Sequence, residues 1–255
     1  MTLQKKVKTE IAWLPSIDST NEEIKRKAAE GAAEGLVIAA DMQTAGKGRR
    51  GRAWQSPAGK NLYFSILLRP EVKPDKASMV TLLMAVAVQK AAAAVSSTET
   101  LIKWPNDVIM HGKKITGILT EMYLKGEEID FVVIGTGVNV KAQTFPEELV
   151  NASDIETESG RVISRKELLE VIVDEFFVLY EEYVKTGNLR FVKETYEKAL
   201  VNKDREVLIL DPVGEYRAVA EGIDEKGELL VRMADGTVRT VYAGEVSVRG
   251  IYGYV

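Results

Sequence analysis

Leu36-Val37-Ile38-Ala39-Ala40 leads into Gln43-Thr44-Ala45-Gly46-Lys47-Gly48-Arg49-Arg50-Gly51-Arg52-Ala53-Trp54, and Asn61-Leu62-Tyr63-Phe64-Ser65-Ile66-Leu67-Leu68 follows. The flanks are apolar runs of strand length. The middle holds four cations within six residues, three glycines and no acid. Gly46-x-Gly48-x-x-Gly51 matches the spelling of the dinucleotide fingerprint and follows a strand, but that fingerprint must also open a helix. Here Ser56-Pro57 and Gly59 come next, and then another strand. The P-loop spelling fails too, because Arg52-Ala53 stands where Lys-Ser/Thr is required. The segment therefore predicts strand–loop–strand and excludes a doubly wound nucleotide fold. Glycines let backbone N–H groups turn towards a ligand, and guanidinium forks suit carboxylate and phosphate oxygens. The rival reading of the loop by itself is a solvated basic turn or a nucleic-acid patch, and the glycine density and the adjacent Trp54 argue against simple solvation.

Working outward, Ser19-Thr20-Asn21-Glu22-Glu23 carries the signature of a helix N-terminus, and the helix should stop at Gly31 or Gly35. Residues 75–97 are apolar nearly all round, which predicts a buried helix. Strands at 108–110 and 115–122 flank a tight turn, His111-Gly112-Lys113, and 129–140 is a long β-branched strand interrupted by Gly135 and Gly137. Residues 166–185 and 189–200 are helical by period. After about residue 204, short alternating segments are punctuated by Asp211-Pro212-Val213-Gly214, Asp224-Glu225-Lys226-Gly227 and Asp235-Gly236, the spacing of a small β-barrel. The fold class expected is α+β: a mixed β-sheet packed with helices over 1–203, followed by a small β-barrel domain over 204–255.

The 255 residues carry 34 Lys plus Arg against 38 Asp plus Glu, a net charge of -4, with no cysteine and one histidine. Disulfides, thiolate nucleophiles, Cys-type zinc sites and multi-histidine metal sites are excluded. Mild acidity argues against general nucleic-acid coating. His111, beside Gly112, reads as an exposed turn residue. No signal-type apolar run opens the chain, and the longest apolar stretch, 79–88, is well short of the ~20 residues of a membrane span. A soluble, cytoplasmic protein is expected.

Two further clusters matter. In Lys103-Trp104-Pro105-Asn106-Asp107 the proline fixes a turn, after which Asn-Asp bonds backbone or ligand. Seven residues past Asp107 stands Lys114, followed by Ile115-Thr116-Gly117; alone it reads as an ordinary edge lysine. In Ile134-Gly135-Thr136-Gly137-Val138-Asn139 the glycines mark either a bulge or a close approach to the backbone.

Taken in this order and at these separations, Ser19-Thr20-Asn21, the 43–52 loop, Lys103-Trp104-Pro105-Asn106-Asp107, Lys114 with Gly117, and Gly135-Thr136-Gly137-Val138-Asn139 resemble biotin–protein ligase. Gly244-Glu245-Val246-Ser247-Val248-Arg249-Gly250 is similar to the close of that family's C-terminal barrel. Lys47 departs from the arginine common in the family; it keeps the charge and loses the planar fork.

The resemblance implies a class II aminoacyl-tRNA synthetase-like sheet with an SH3-like barrel. It implies ATP-dependent attachment of biotin to a lysine of a biotin carboxyl carrier protein through biotinyl-5'-AMP. The catalytic residues it implies are Arg49, Lys114 and Asp107, the last orienting the incoming amine. Ser19, Thr20 and Gln43 would bond the ureido ring, with Asn21, Gly46, Lys47, Arg49, Lys114 and Gly117 completing the biotin side. Arg49, Arg52, Trp54, Lys103, Asn106 and Asn139 would serve the nucleotide. Mg²⁺ is expected with ATP, held by substrate phosphates; a homodimer is common in the family. With Ser19 so close to the start there is no room before it for a helix-turn-helix, so specific DNA binding is not expected. Two alternatives stay open: a lipoate–protein ligase, which would bind lipoate in place of biotin, and a non-catalytic polyanion-binding module, which would show salt-dependent nucleic-acid affinity without pyrophosphate exchange.

Overall fold

The computed structural model describes residues 7–243, 247–251 and 253–255. In chain order the elements are β1 (Glu10–Leu14), α1 (Thr20–Ala29), β2 (Leu36–Ala40), β3 (Leu62–Leu68), α2 (Met79–Ser96), β4 (Leu101–Lys103), β5 (Asp107–Met110), β6 (Lys113–Lys125) and β7 (Glu128–Val138). Then come α3 (Ile155–Ser159), α4 (Arg165–Thr186), α5 (Lys193–Ala199), β8 (Arg205–Leu210), β9 (Tyr216–Ile223), β10 (Leu229–Arg232), β11 (Val238–Val241) and β12 (Ser247–Gly250).

β1 to β7 form one mixed sheet in the order β1-β2-β3-β7-β6-β5-β4. β1 and β2 are parallel and the other neighbours antiparallel. A parallel pair needs a crossover, and α1 supplies it. Acids in the first turn of α1 and bases in its last complement the helix dipole, and Gly31, at φ 88°, ends it. β1 and β4 were not foreseen, being short and weakly patterned.

α1 covers only the β1-β2-β3-β7 half of one face, packing Ile24 and Ala28 on Ile38, Leu67, Phe131 and Val133. The β6-β5-β4 half of that face stays open. The other face is buried under α2, which is itself covered by α4. This sandwich explains why α2 has no polar stripe. One 18-residue window within the stretch 74–96 has a mean hydropathy of 1.7, enough by composition for a membrane span, but it lies largely inside the core.

β8 to β12 form a five-stranded antiparallel sheet in the order β11-β10-β9-β8-β12, as the turn spacing predicted. Its apolar face joins the core below α2, so the buried cluster runs unbroken from Val37 to Val248. Trp104, 1% exposed, ties the two sheets by donating from Nε1 to the Gly227 carbonyl at 2.9 Å.

Two local devices position the site. His111 (φ 47°) and Gly112 (φ 77°) make the two-residue turn between β5 and β6, the primed geometry that antiparallel strands favour. Next to it the pairing runs Asp107↔Gly117, Val108↔Thr116, then Ile109↔Lys114. Ile115 is thus the extra residue of a β-bulge. The bulge puts Lys114 and Gly117, three apart, on one face with Asp107, where strict alternation would have turned Lys114 into the core. Lys114 stands on an interior strand and is not an edge lysine. β7 pairs in unbroken register through Gly135 and Gly137. Close approach, rather than a bulge, is therefore the reason for those glycines.

Candidate active site

The open half of the sheet is the floor of a cavity of about 1020 Å³. Its walls are the N-terminus of α1, the basic loop, the turn between β4 and β5, the segment after β7, and Ser247 and Val248 of β12. Every candidate residue from the sequence except Gly46 lines it. Gly46 lies buried behind: a Cβ there would stand 2.6 Å from the Trp54 carbonyl and 2.7 Å from Ser56 Oγ.

The basic loop is a small hairpin. Trp54 N donates to Gly46 O (2.9 Å) and Gly48 N to Arg52 O (2.7 Å), with Arg50 and Gly51 at positive φ in the turn. The loop's cations part company. Lys47 pairs with Glu22 on α1, 2.5 Å away, and Arg52 is exposed on the rim. Arg49 points inward, donating to Asn106 Oδ1 (2.8 Å) and to the Ala243 carbonyl (2.9 Å). Burial lowers its pKa from the ordinary value, with Asp107 opposing.

Trp54 lies flat on the floor: a Cβ on Gly117 would meet its ring at 2.8 Å and one on Gly137 at 2.6 Å. Lys114 Nζ stands 5.6 Å from the Trp54 ring centroid. The indole Nε1 is buried without a partner among the described residues.

Lys114 Nζ is 2.6 Å from Asp107 Oδ1. Burial alone would push the Asp107 carboxyl up, but Lys114 and Lys103 outweigh it and hold the pKa below the usual value. Lys103, 6% exposed, titrates at about 8, chiefly because burial disfavours its charge. The backbone of Lys114 is clamped between Asn151 O (2.7 Å) and Ser153 N (2.9 Å). Asn139 braces the same segment by donating to Ser153 O, and Asn106 Nδ2 donates to Ile118 O.

At the α1 end the polar groups form a chain. Gln43 Oε1 accepts from Thr20 N (2.8 Å) and Oγ1 (3.1 Å). Ser65 Oγ lies 2.8 Å from Thr20 Oγ1 and 2.5 Å from Asn21 Oδ1, and Asn21 Nδ2 donates to Glu121 (2.6 Å). Ser19 sits at the helix N-cap with its hydroxyl unused by the cap. Asn21 is spent on the scaffold, lying over Gly135.

The chain matches the model of the biotin/lipoate A/B protein ligase family over residues 13–139 and that of the biotin protein ligase C terminal domain over 204–249. It is 35% identical over 235 residues to the bifunctional ligase/repressor BirA of Bacillus spizizenii, covering 90% of this chain and 71% of that protein. It belongs to the biotin protein ligase family. The biotin–[acetyl-CoA-carboxylase] ligase of Mycobacterium tuberculosis is 31% identical over 89% of this chain and 85% of its own. The biotin protein ligase from Aquifex aeolicus, solved with biotin and ATP, superposes with a TM-score of 0.81 at 29% identity, covering 94% of this chain and 98% of that one.

Behind the lining of the ligase's cavity stand groups that motif reading passed over. Tyr254 donates to Asp107 Oδ2 (2.5 Å), Arg249 lies close enough to lower the pKa of Lys103, and the buried Tyr196 phenol lies close enough to feel the Asp107 charge. Ser65 and Glu121 carry Asn21. Nothing in local spacing marks these residues, because each reaches the site from a distant strand, helix or tail. Gly244, Glu245 and Val246, part of the matched C-terminal run, lie outside the described residues. Among the described residues no three His, Cys, Asp or Glu side chains cluster as a metal site. The donor set does not fit a protein-held ion.

Proposed function

We propose that the ligase attaches biotin to a lysine of a biotin carboxyl carrier protein in two steps through biotinyl-5'-AMP, within a catalytic unit of residues 1–203 closed by a barrel of 204–255. The observation that carries this reading is the convergence of Arg49, Lys103 and Lys114 around one buried carboxylate, beside the polar start of α1.

In the first step the biotin carboxylate attacks the α-phosphorus of ATP; an O–P bond forms and pyrophosphate leaves. Two anions must approach each other, so charge neutralisation and positioning dominate the barrier. Arg49 and Lys114 flank the reacting oxygens, with Arg52 and Lys103 toward the phosphates. Mg²⁺ arrives on the triphosphate, in keeping with a site without a carboxylate cage. Ser19, Thr20 and Gln43 face the ureido end, with Asn21, Gly46 and Lys47 behind them. Trp54 covers the glycine floor at Gly117 and Gly137, and Asn106 and Asn139 serve the nucleotide side.

In the second step the lysine amine attacks the acyl carbon, a C–N bond forms, AMP leaves with the C–O electrons, and the proton shed by the amine passes to water. Asp107 is too weak a base to take the proton. It accepts a hydrogen bond and aims the amine. Cytoplasmic residence and a second copy of the chain belong to the same proposal.

Biotin-dependent exchange of labelled pyrophosphate into ATP, followed by transfer to a carrier domain, tests the reading. Absence of exchange, or equal exchange with lipoate, would refute it, since polar groups built for a ureido ring reject an analogue that leaves them unpaired.

A further inference from the structure

The Asp107 carboxylate has two lysines within reach but only one ion pair. Its Oδ1 is on Lys114. Its Oδ2 takes the Tyr254 hydroxyl at 2.5 Å, and the Tyr254 ring lies under Lys103, with Nζ 4.2 Å from its centroid. Among the described residues Lys103 makes no ion pair within 4.0 Å. This distribution is unexpected. In a buried setting an ion pair outweighs a cation–π contact, so Lys103 should drop onto the second carboxylate oxygen unless something occupies it.

We propose that Tyr254 is a positioning residue: its hydroxyl fills the Asp107 oxygen that Lys103 would otherwise take, and its ring carries the ammonium, presenting Lys103 to the phosphates of ATP. The assignment rests on the ATP-using reading above. Its geometry is specific to the tail beyond β12, which folds back so that Gly250 and Gly253 bridge and Tyr254 reaches β5. Burial and the adjacent Asp107 raise the phenol's pKa well above its ordinary value, so it remains a proton donor at any working pH.

Among the described residues, the charged and titratable groups around Lys103 are Asp107 on β5, Lys114 on β6, Arg49 on the basic loop, Arg249 on β12 and Tyr254, with Tyr196 of α5 facing Asp107. Burial is the largest cause of its low pKa; Asp107 opposes it and the three other cations add to it. Closer pairing with Asp107 therefore moves Lys103 in one direction only, upward.

Tyr254→Phe keeps the ring and removes the hydroxyl. In pyrophosphate exchange the KM for ATP should rise about five- to tenfold, with the KM for biotin and kcat within about twofold. The alkaline limb of kcat/KM for ATP, which in the native protein should follow Lys103 near pH 8, should move to higher pH. NMR titration of lysine ε-carbons, with Lys103 assigned through Lys103→Arg, should show the same upward move. Tyr254→Leu should act in the same direction, which separates the effect from one variant's folding. An unchanged ATP KM and an unchanged Lys103 titration would overturn the proposal. So would faster transfer to the carrier at an unchanged ATP KM, which would make the phenol a competitor of the incoming amine. If the native protein shows no exchange at all, the ATP reading fails, and the NMR titration still decides the role of Tyr254.

Discussion

Gly135 and Gly137 stand two apart on one face of β7, yet alanine at each should do different things. A Cβ on Gly135 would lie 2.0 Å from Asn21 Oδ1 and within 3 Å of Asn21 Cγ and Nδ2. Asn21 is 4% exposed and tied to Ser65 and Glu121. It must move by more than about 1 Å to restore contact distance, giving up both bonds. Overpacking of this kind costs about 1–3 kcal/mol, and each lost hydrogen bond about 1 kcal/mol. Gly135→Ala should therefore cost roughly 3–5 kcal/mol, a fall in Tm of about 6–20 °C for a chain of this size. A Cβ on Gly137 would instead meet the Trp54 ring, 2.6 Å away. Trp54 belongs to the basic hairpin, which carries both nucleotide-side and biotin-side residues and lies at the surface, so Gly137→Ala should cost under about 1 kcal/mol while raising the KM for both ATP and biotin at least tenfold. Urea unfolding and exchange kinetics on both variants would check this. Equal losses of stability, or a Gly137→Ala protein with native biotin KM, would refute the reasoning.

Lys114→Ala should lower biotin-dependent pyrophosphate exchange by about a hundredfold or more; a rate near native would remove Lys114 from the first step. Arg49→Gly should loosen retention of the adenylate, read by mass spectrometry as biotin on bystander lysines; carrier-only labelling at the native rate would contradict this. Lys103 offers a pH prediction. Its folded pKa of about 8 lies below the ~10.4 of an unfolded lysine, so between these values the unfolded chain binds more protons and stability rises with pH. Lys103→Met should flatten that rise and raise Tm at neutral pH; an unaltered slope across the window would show that Lys103 is not the source.

Much of the site was legible because its chemistry is local in sequence. Four cations among three glycines between two apolar runs favoured an anion-binding loop over a solvated turn, and Pro57 with Gly59 ruled out the helix a dinucleotide fold requires. The strands and helices with strong period were equally plain. What escaped depends on long-range geometry. Whether Gly135 and Gly137 meant a bulge or a close approach could not be known until Asn21 and Trp54 were seen resting on them. The side of the sheet that Lys114 faces hangs on one extra residue, Ile115, which no alternation rule predicts. Lys47 shares the loop's charge but spends it on Glu22, a choice set by where α1 lies. Tyr254 reaches Asp107 across 147 positions of chain, and no motif joins them.

The bond from Trp104 to the Gly227 carbonyl has a practical corollary for modular exchange among relatives. The turn at 224–227 is wedged against its surroundings: Gly227 holds φ 81°, and a Cβ there would strike Leu82 at 2.7 Å and Leu189 at 2.9 Å. A reverse turn of the C-terminal sheet thus serves as the keyway for an indole next to Lys103. Chimeras that swap this sheet while leaving their donor's turn in place should assemble with a misfitted lock, whereas retaining 224–227 from the recipient should let a foreign barrel seat.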